Sequence, residues 1–195
     1  PEYRGYLGSA GLPGGLRTDT ENVRDAINAL KAYPAVDFHR LYLLGYSMGG
    51  GVALTLAAEL PHVRAVVCVS PYVGMKTVEA YWAVHPPAPG TNFARQLGGL
   101  ELAYGKPPSQ KELRAESPDT AAITAPVLLL QGTGDSHVEW QTVQAFANAM
   151  QALHKTVKLI LYPGGPHGLH TAPYGGESTA AMSAWFAQYG LNIPY

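Results

Sequence analysis

Four short apolar runs punctuate the chain: Leu41–Leu44, Val63–Val69, Val127–Leu130 and Val157–Tyr162. Helix-periodic stretches lie between and around them. Val23, Ala26, Ile27 and Leu30 fall at i, i+3, i+4 and i+7 behind Thr20, which reads as an N-cap, and Pro34 follows; this predicts a helix over Thr20–Ala32. A small-residue helix is expected from about Gly50 to Leu60, ended by Pro61. Trp140, Val143, Ala147 and Met150 mark one face of a helix over about Glu139–His154. Ala181, Met182, Trp185, Phe186 and Tyr189 mark a last one over about Ser178–Tyr189. Short apolar strands alternating with helices specify the α/β class: a mostly parallel sheet with helices on both faces.

With 195 residues the chain is long enough for one domain with its own core. Charged residues make up 14% and the formal net charge is −1, with no Lys/Arg cluster, which argues against a nucleic-acid partner. No run approaches the roughly 18 consecutive apolar residues of a membrane span. Cys68 is the only cysteine, so neither an internal disulfide nor a cysteine metal site is expected; inside "AVVCVS" it reads as a small buried hydrophobe. No signal peptide is recognisable, and nothing in the sequence fixes a compartment.

One interval departs from the alternation. Residues 71–124 separate the second and third apolar runs and contain the loop "HPPAPG" and a capping box at Ser109 and Glu112. A connection of that length is either a functional lid or a structured insertion. Its aromatics Tyr72, Tyr81, Trp82 and Tyr104 either line a substrate pocket or pack the insertion onto the body.

The chemistry concentrates where the first strand ends. Gly45-Tyr46-Ser47-Met48-Gly49 is a G-x-S-x-G pattern placed between an apolar strand and an Ala-rich helix. A serine on so tight a turn needs small neighbours two residues before and after it, because strand and helix close in on each other there. The turn lifts the Ser47 hydroxyl above the sheet and aims the first N–H groups of the helix, Met48 foremost, at the same spot. A serine hydroxyl needs a base, and the base an orienting carboxylate. Asp135 follows the third strand in "PVLLLQGTGDSHVEW", and His167 follows the fourth in "VKLILYPGGPHGLH". Both fall at the carboxyl edge of the sheet, with Ser47. Asp119 precedes its strand, and Asp19, Asp25 and Asp37 precede the serine. His170 is the competitor for His167, and His137 borders Asp135. His167 and His170 also admit a metal-ligand reading, for which no convergent carboxylate or cysteine cluster is evident. His39, His62, His85 and His154 read as ordinary surface or packing histidines.

These segments resemble the catalytic domain of the α/β-hydrolase superfamily, and within it the prolyl oligopeptidase-like family: "YRGYLGS" at Tyr3–Ser9, "GYSMGG" at Gly45–Gly50, "ITAPVLLLQGTGD" at Ile123–Asp135 and "LILYPGGPHG" at Leu159–Gly168. The resemblance implies Ser47 as nucleophile, Asp135 as orienting acid, His167 as general base and the Met48 N–H as an oxyanion donor, with Tyr46 beside the substrate. It implies no cofactor and no metal. Domains of the family begin with further strands, one ending in a loop, often His-Gly-Gly-like, that supplies a second oxyanion donor. No such loop precedes Ser47, so the N-terminal strands are expected in a segment outside this sequence. The expected activity is hydrolysis of a small ester through an acyl-enzyme; the alternatives are a serine exopeptidase acting on short peptides and a non-catalytic binding protein on the same fold.

Overall fold

The computed structural model describes residues 3–5, 8–11, 14–104 and 108–191; the side chains of Leu100, Ala103 and Tyr104 lie outside that description. In chain order the elements are α1 (Gly15–Leu30), β1 (Leu41–Tyr46), α2 (Met48–Glu59), β2 (Val63–Val69), α3 (Met75–Trp82), α4 (Asn92–Tyr104), α5 (Gln110–Ala115), β3 (Val127–Gly132), α6 (Trp140–Ala152), β4 (Val157–Tyr162), a 3-10 turn at His167–Leu169, and α7 (Tyr174–Gln188). The four strands form one parallel sheet in the order β1-β2-β3-β4.

The central strands are largely apolar because both of their faces are covered, as parallel sheets require. Along β2 and β3 the side chains alternate between two layers. Val66, Cys68, Val127 and Leu129 meet Leu54 of α2 and Val143, Phe146 and Met150 of α6. Ala65, Val67, Val69, Leu128 and Leu130 meet Trp185 and Phe186 of α7. Helix α1 packs on α2 through Leu16, Val52 and Leu56. Cys68 is fully buried, and burial pushes its thiol pKa up, so it is inert packing.

Two helix starts differ from the sequence expectation. Helix α1 begins behind Gly14, not Thr20: the Thr20 hydroxyl donates back to the Leu16 carbonyl at 2.8 Å, an interior position rather than a cap. Helix α7 begins at Tyr174, because its first turn carries Gly175 and Gly176 and shows no apolar periodicity. Among the described residues the 71–124 interval holds three helices, and its capping box forms: Glu112 N–H donates to Ser109 Oγ, and Ser109 N–H donates to the Glu112 carboxylate.

Among the described residues β1 pairs only with β2, so its other edge is open. Leu44 and Tyr46 on this strand are 50% and 38% exposed. A groove of ≈ 530 Å³ follows that edge, walled by Val23, Ile27, Tyr42, Leu43 and Leu56, and ends at Ser47.

Candidate active site

Ser47 sits between β1 and α2 with φ 52° and ψ −121°, a conformation that L side chains rarely adopt. Its backbone is held from both sides by the end of β2: Ser47 N–H donates to the Val69 carbonyl and Tyr72 N–H to the Ser47 carbonyl, each at 2.9 Å. A Cβ at Gly45 would overlap the Gly49 carbonyl, so the helix can fold back only over glycine. The other small residue of the pattern is less constrained. A Cβ at Gly49 would meet only the Tyr3 hydroxyl at 3.3 Å, whereas one at Gly50 would stand 2.6 Å from the Pro71 ring. The tight approach after the serine is therefore at Gly50, against the segment leaving β2. Met48 N–H opens α2 and has no partner among the described residues.

Asp135 and His167 come together as the order of the strands demands. His167 Nδ1 lies 2.8 Å from Asp135 Oδ2. The same oxygen accepts Gln131 Nε2–H at 3.0 Å, and Oδ1 accepts the N–H groups of His137 and Val138 at 2.8 and 2.9 Å. Burial pushes the Asp135 carboxyl pKa up, but hydrogen bonds from His167, Val138 and His137 outweigh it and hold it below its ordinary value. The aspartate is therefore an anion at neutral pH, and a Nδ1–H donated to it leaves His167 Nε2 free to take a proton. Ser47 Oγ makes no hydrogen bond among the described residues.

The remaining candidates fall into two groups. His170 stacks on Tyr46, ring centroids 5.6 Å apart, and has no hydrogen bond to Asp135. His137 stacks on His167 at 4.8 Å. Asp135, His137 and His167 bring donor atoms within 4.8 Å of one another; each Asp135 oxygen accepts two hydrogen bonds, and His137 Nδ1 lies 3.3 Å from Ser136 Oγ. Tyr72 and Trp82 line a cavity of ≈ 30 Å³ with Gln96, His137, Val138 and Glu139, and Trp82 Nε1–H donates to Glu139 at 2.7 Å. Tyr81 stacks on His85, and Tyr46 borders the groove at Ser47. The Tyr104 side chain lies outside the described residues.

Sequence reasoning missed two participants. Gln131 is wholly buried; its amide donates to Asp135 and to the Gly132 carbonyl, while its Oε1 has no partner among the described residues. Its signal was a lone polar residue in an apolar strand. Ser70, at the end of β2, is also wholly buried and accepts the Gly168 N–H.

Comparison with known proteins agrees with this architecture. The dienelactone hydrolase family matches residues 16–191. A provisionally assigned carboxymethylenebutenolidase of Salmonella typhimurium is 25% identical over 162 residues, covering 79% of this chain and 48% of that protein. The chain thus spans about half the length of the curated relatives it matches. Among solved structures, an esterase of Pyrococcus furiosus superposes with a TM-score of 0.66 at 21% identity, over 96% of this chain and 68% of that one. An acylaminoacyl peptidase of Pyrococcus horikoshii, a prolyl oligopeptidase-family protein, superposes with a TM-score of 0.70 at 16% identity, over 91% of this chain and 29% of that one. At such identities the two structures speak for the fold alone. The family match covers most of the chain, and by it the chain belongs to the dienelactone hydrolase family of the α/β-hydrolase superfamily.

Proposed function

We propose that the protein is a serine hydrolase that cleaves small carboxylic esters through an acyl-enzyme. Ser47 Oγ attacks the ester carbonyl, and His167 Nε2 takes its proton. Asp135 holds the imidazole by Nδ1 and stabilises its charge. Met48 N–H faces the oxyanion. His167 returns the proton to the departing alkoxide and then activates the water that frees Ser47. The observation that supports this reading is the 2.8 Å Asp135–His167 pair at the carboxyl edge of the parallel sheet whose first strand ends in Ser47, itself held at φ 52°. The Asp135–His167 hydrogen bond is present in the free protein, and a Ser47–His167 hydrogen bond is expected once substrate is bound.

An ester is favoured over a peptide on two grounds. The small cavity beside His137 has room for about one water molecule, which leaves space for no more than a short acyl group. Alkoxide leaving groups also need less acid assistance than amines. The open edge of β1 supports a further strand from a segment outside this sequence, which would fill the groove beside Ser47 and bring the second oxyanion donor. The test is labelling with a fluorophosphonate, which requires an activated serine whatever the natural substrate. The full-length protein is expected to label at Ser47 and the Ser47→Ala variant not at all; labelling that persists elsewhere in that variant overturns the assignment.

A further inference from the structure

We propose that Ser70 is a positioning residue for the base: its hydroxyl anchors the main chain of the loop that carries His167. Ser70 terminates β2, the strand between those that deliver Ser47 and Asp135, and it has no exposed surface. Its φ is 46°, in the left-handed region that glycine occupies without strain and serine does not. A glycine would fit this corner more easily, so the side chain must contribute something. Its described contact is with a residue 98 positions away: Gly168 N–H donates to Ser70 Oγ at 3.0 Å.

The loop at the other end needs such an anchor. Gly168 and Leu169 are both left-handed, with φ 77° and 54°. At φ 77° a side chain on Gly168 would be strained, and its Cβ would also meet the His170 ring, so a substitution there is disfavoured. His167 is then fixed at two points one residue apart, its ring by Asp135 and its following peptide by Ser70. One point would leave the imidazole free to pivot about Asp135. Two points set the direction in which Nε2 projects.

This inference rests on the proposed roles of Ser47 and His167, and the experiment separates the two. Ser70→Gly removes the hydroxyl and relieves the strained backbone; Ser70→Ala removes the hydroxyl alone. In the full-length protein Ser70→Gly is expected to melt at or above the wild-type Tm. On p-nitrophenyl acetate its kcat falls about 10- to 100-fold with KM within about twofold, the scale of a displaced catalytic group. The far-downfield proton resonance of the Asp135–His167 hydrogen bond, assigned with His167→Gln, broadens or vanishes in both variants. Wild-type kcat together with an unchanged resonance overturns the proposal. So does a loss of kcat that merely follows a loss of Tm in both. If the wild type neither turns over esters nor takes up a fluorophosphonate, the hydrolase reading fails, and the resonance alone decides the role of Ser70.

Discussion

Asp135 Oδ2 is shared by two donors, His167 Nδ1 at 2.8 Å and Gln131 Nε2 at 3.0 Å. One donor belongs to the loop after β4; the other is buried in β3. The carboxylate is thus held in place by the strand and left to orient the histidine.

Replacing Asp135 by Asn keeps the volume and removes the acceptor that selects the Nδ1–H tautomer. The expected loss in kcat on p-nitrophenyl acetate is about 10⁴-fold, with KM little changed. The substitution should also alter acid stability. The folded-state carboxyl pKa is depressed, so the ionised group stabilises the fold above its unfolded-state value, and that contribution is lost as pH falls through the folded-state value. The gap in Tm between wild type and Asp135→Asn is expected to hold from pH 7 down to the ordinary carboxylate range and to narrow only below it, as pH falls toward the depressed folded-state value. A gap that stays constant below that range contradicts the depressed value.

The two glycines that frame the serine should not be equivalent. A Cβ at Gly45 overlaps the Gly49 backbone, and backbone cannot swing aside. Gly45→Ala is expected to cost about 1–3 kcal/mol or more of stability by overpacking, and most of the activity. At Gly49 the Cβ meets only the tip of the Tyr3 side chain, so Gly49→Ala should stay within about 1 kcal/mol of wild type in denaturant unfolding. Equal losses at both positions would contradict the asymmetry.

His167→Ala is expected to lower kcat by about 10⁴- to 10⁶-fold. His170→Ala, which removes only a ring stacked on Tyr46, should lower it less than about fivefold. If the second variant is dead and the first active, the base has been assigned to the wrong residue.

Val138 walls the ≈ 30 Å³ cavity, and only its backbone N–H serves Asp135. Val138→Ala therefore enlarges the cavity and leaves that hydrogen bond in place. The ratio of kcat/KM for p-nitrophenyl butyrate over acetate is expected to rise about 5- to 30-fold, the scale of one or two methylenes in an apolar pocket. An unchanged ratio would place the acyl group elsewhere.

The strands were legible because each is a short, mostly apolar run: β2 and β4 have the bounds read from the sequence, and β1 and β3 each extend two residues further. The order serine, acid, histidine was legible for a related reason, since each follows a strand. Helix starts were less so. Thr20 looks like a cap in isolation, and only the bond to Leu16 places it inside the helix. Gly175 and Gly176 conceal the first turn of α7. The three helices of the insertion and the roles of Ser70 and Gln131 were out of reach, because a lone polar residue acquires meaning only from a partner distant in sequence. For Ser70 that partner is Gly168.

The strand order β1-β2-β3-β4 repeats the order of synthesis. As the chain leaves the ribosome each new strand can dock beside the one before it, and no earlier pair must open to admit a later one. The candidate groups emerge in the same sequence: the serine, then the acid, then the histidine. Helix α7, which supplies Trp185 and Phe186 to one face of the sheet, arrives after all three. A nascent chain halted after β4 would hold a turned-out serine over a sheet whose face toward Trp185 and Phe186 is still bare.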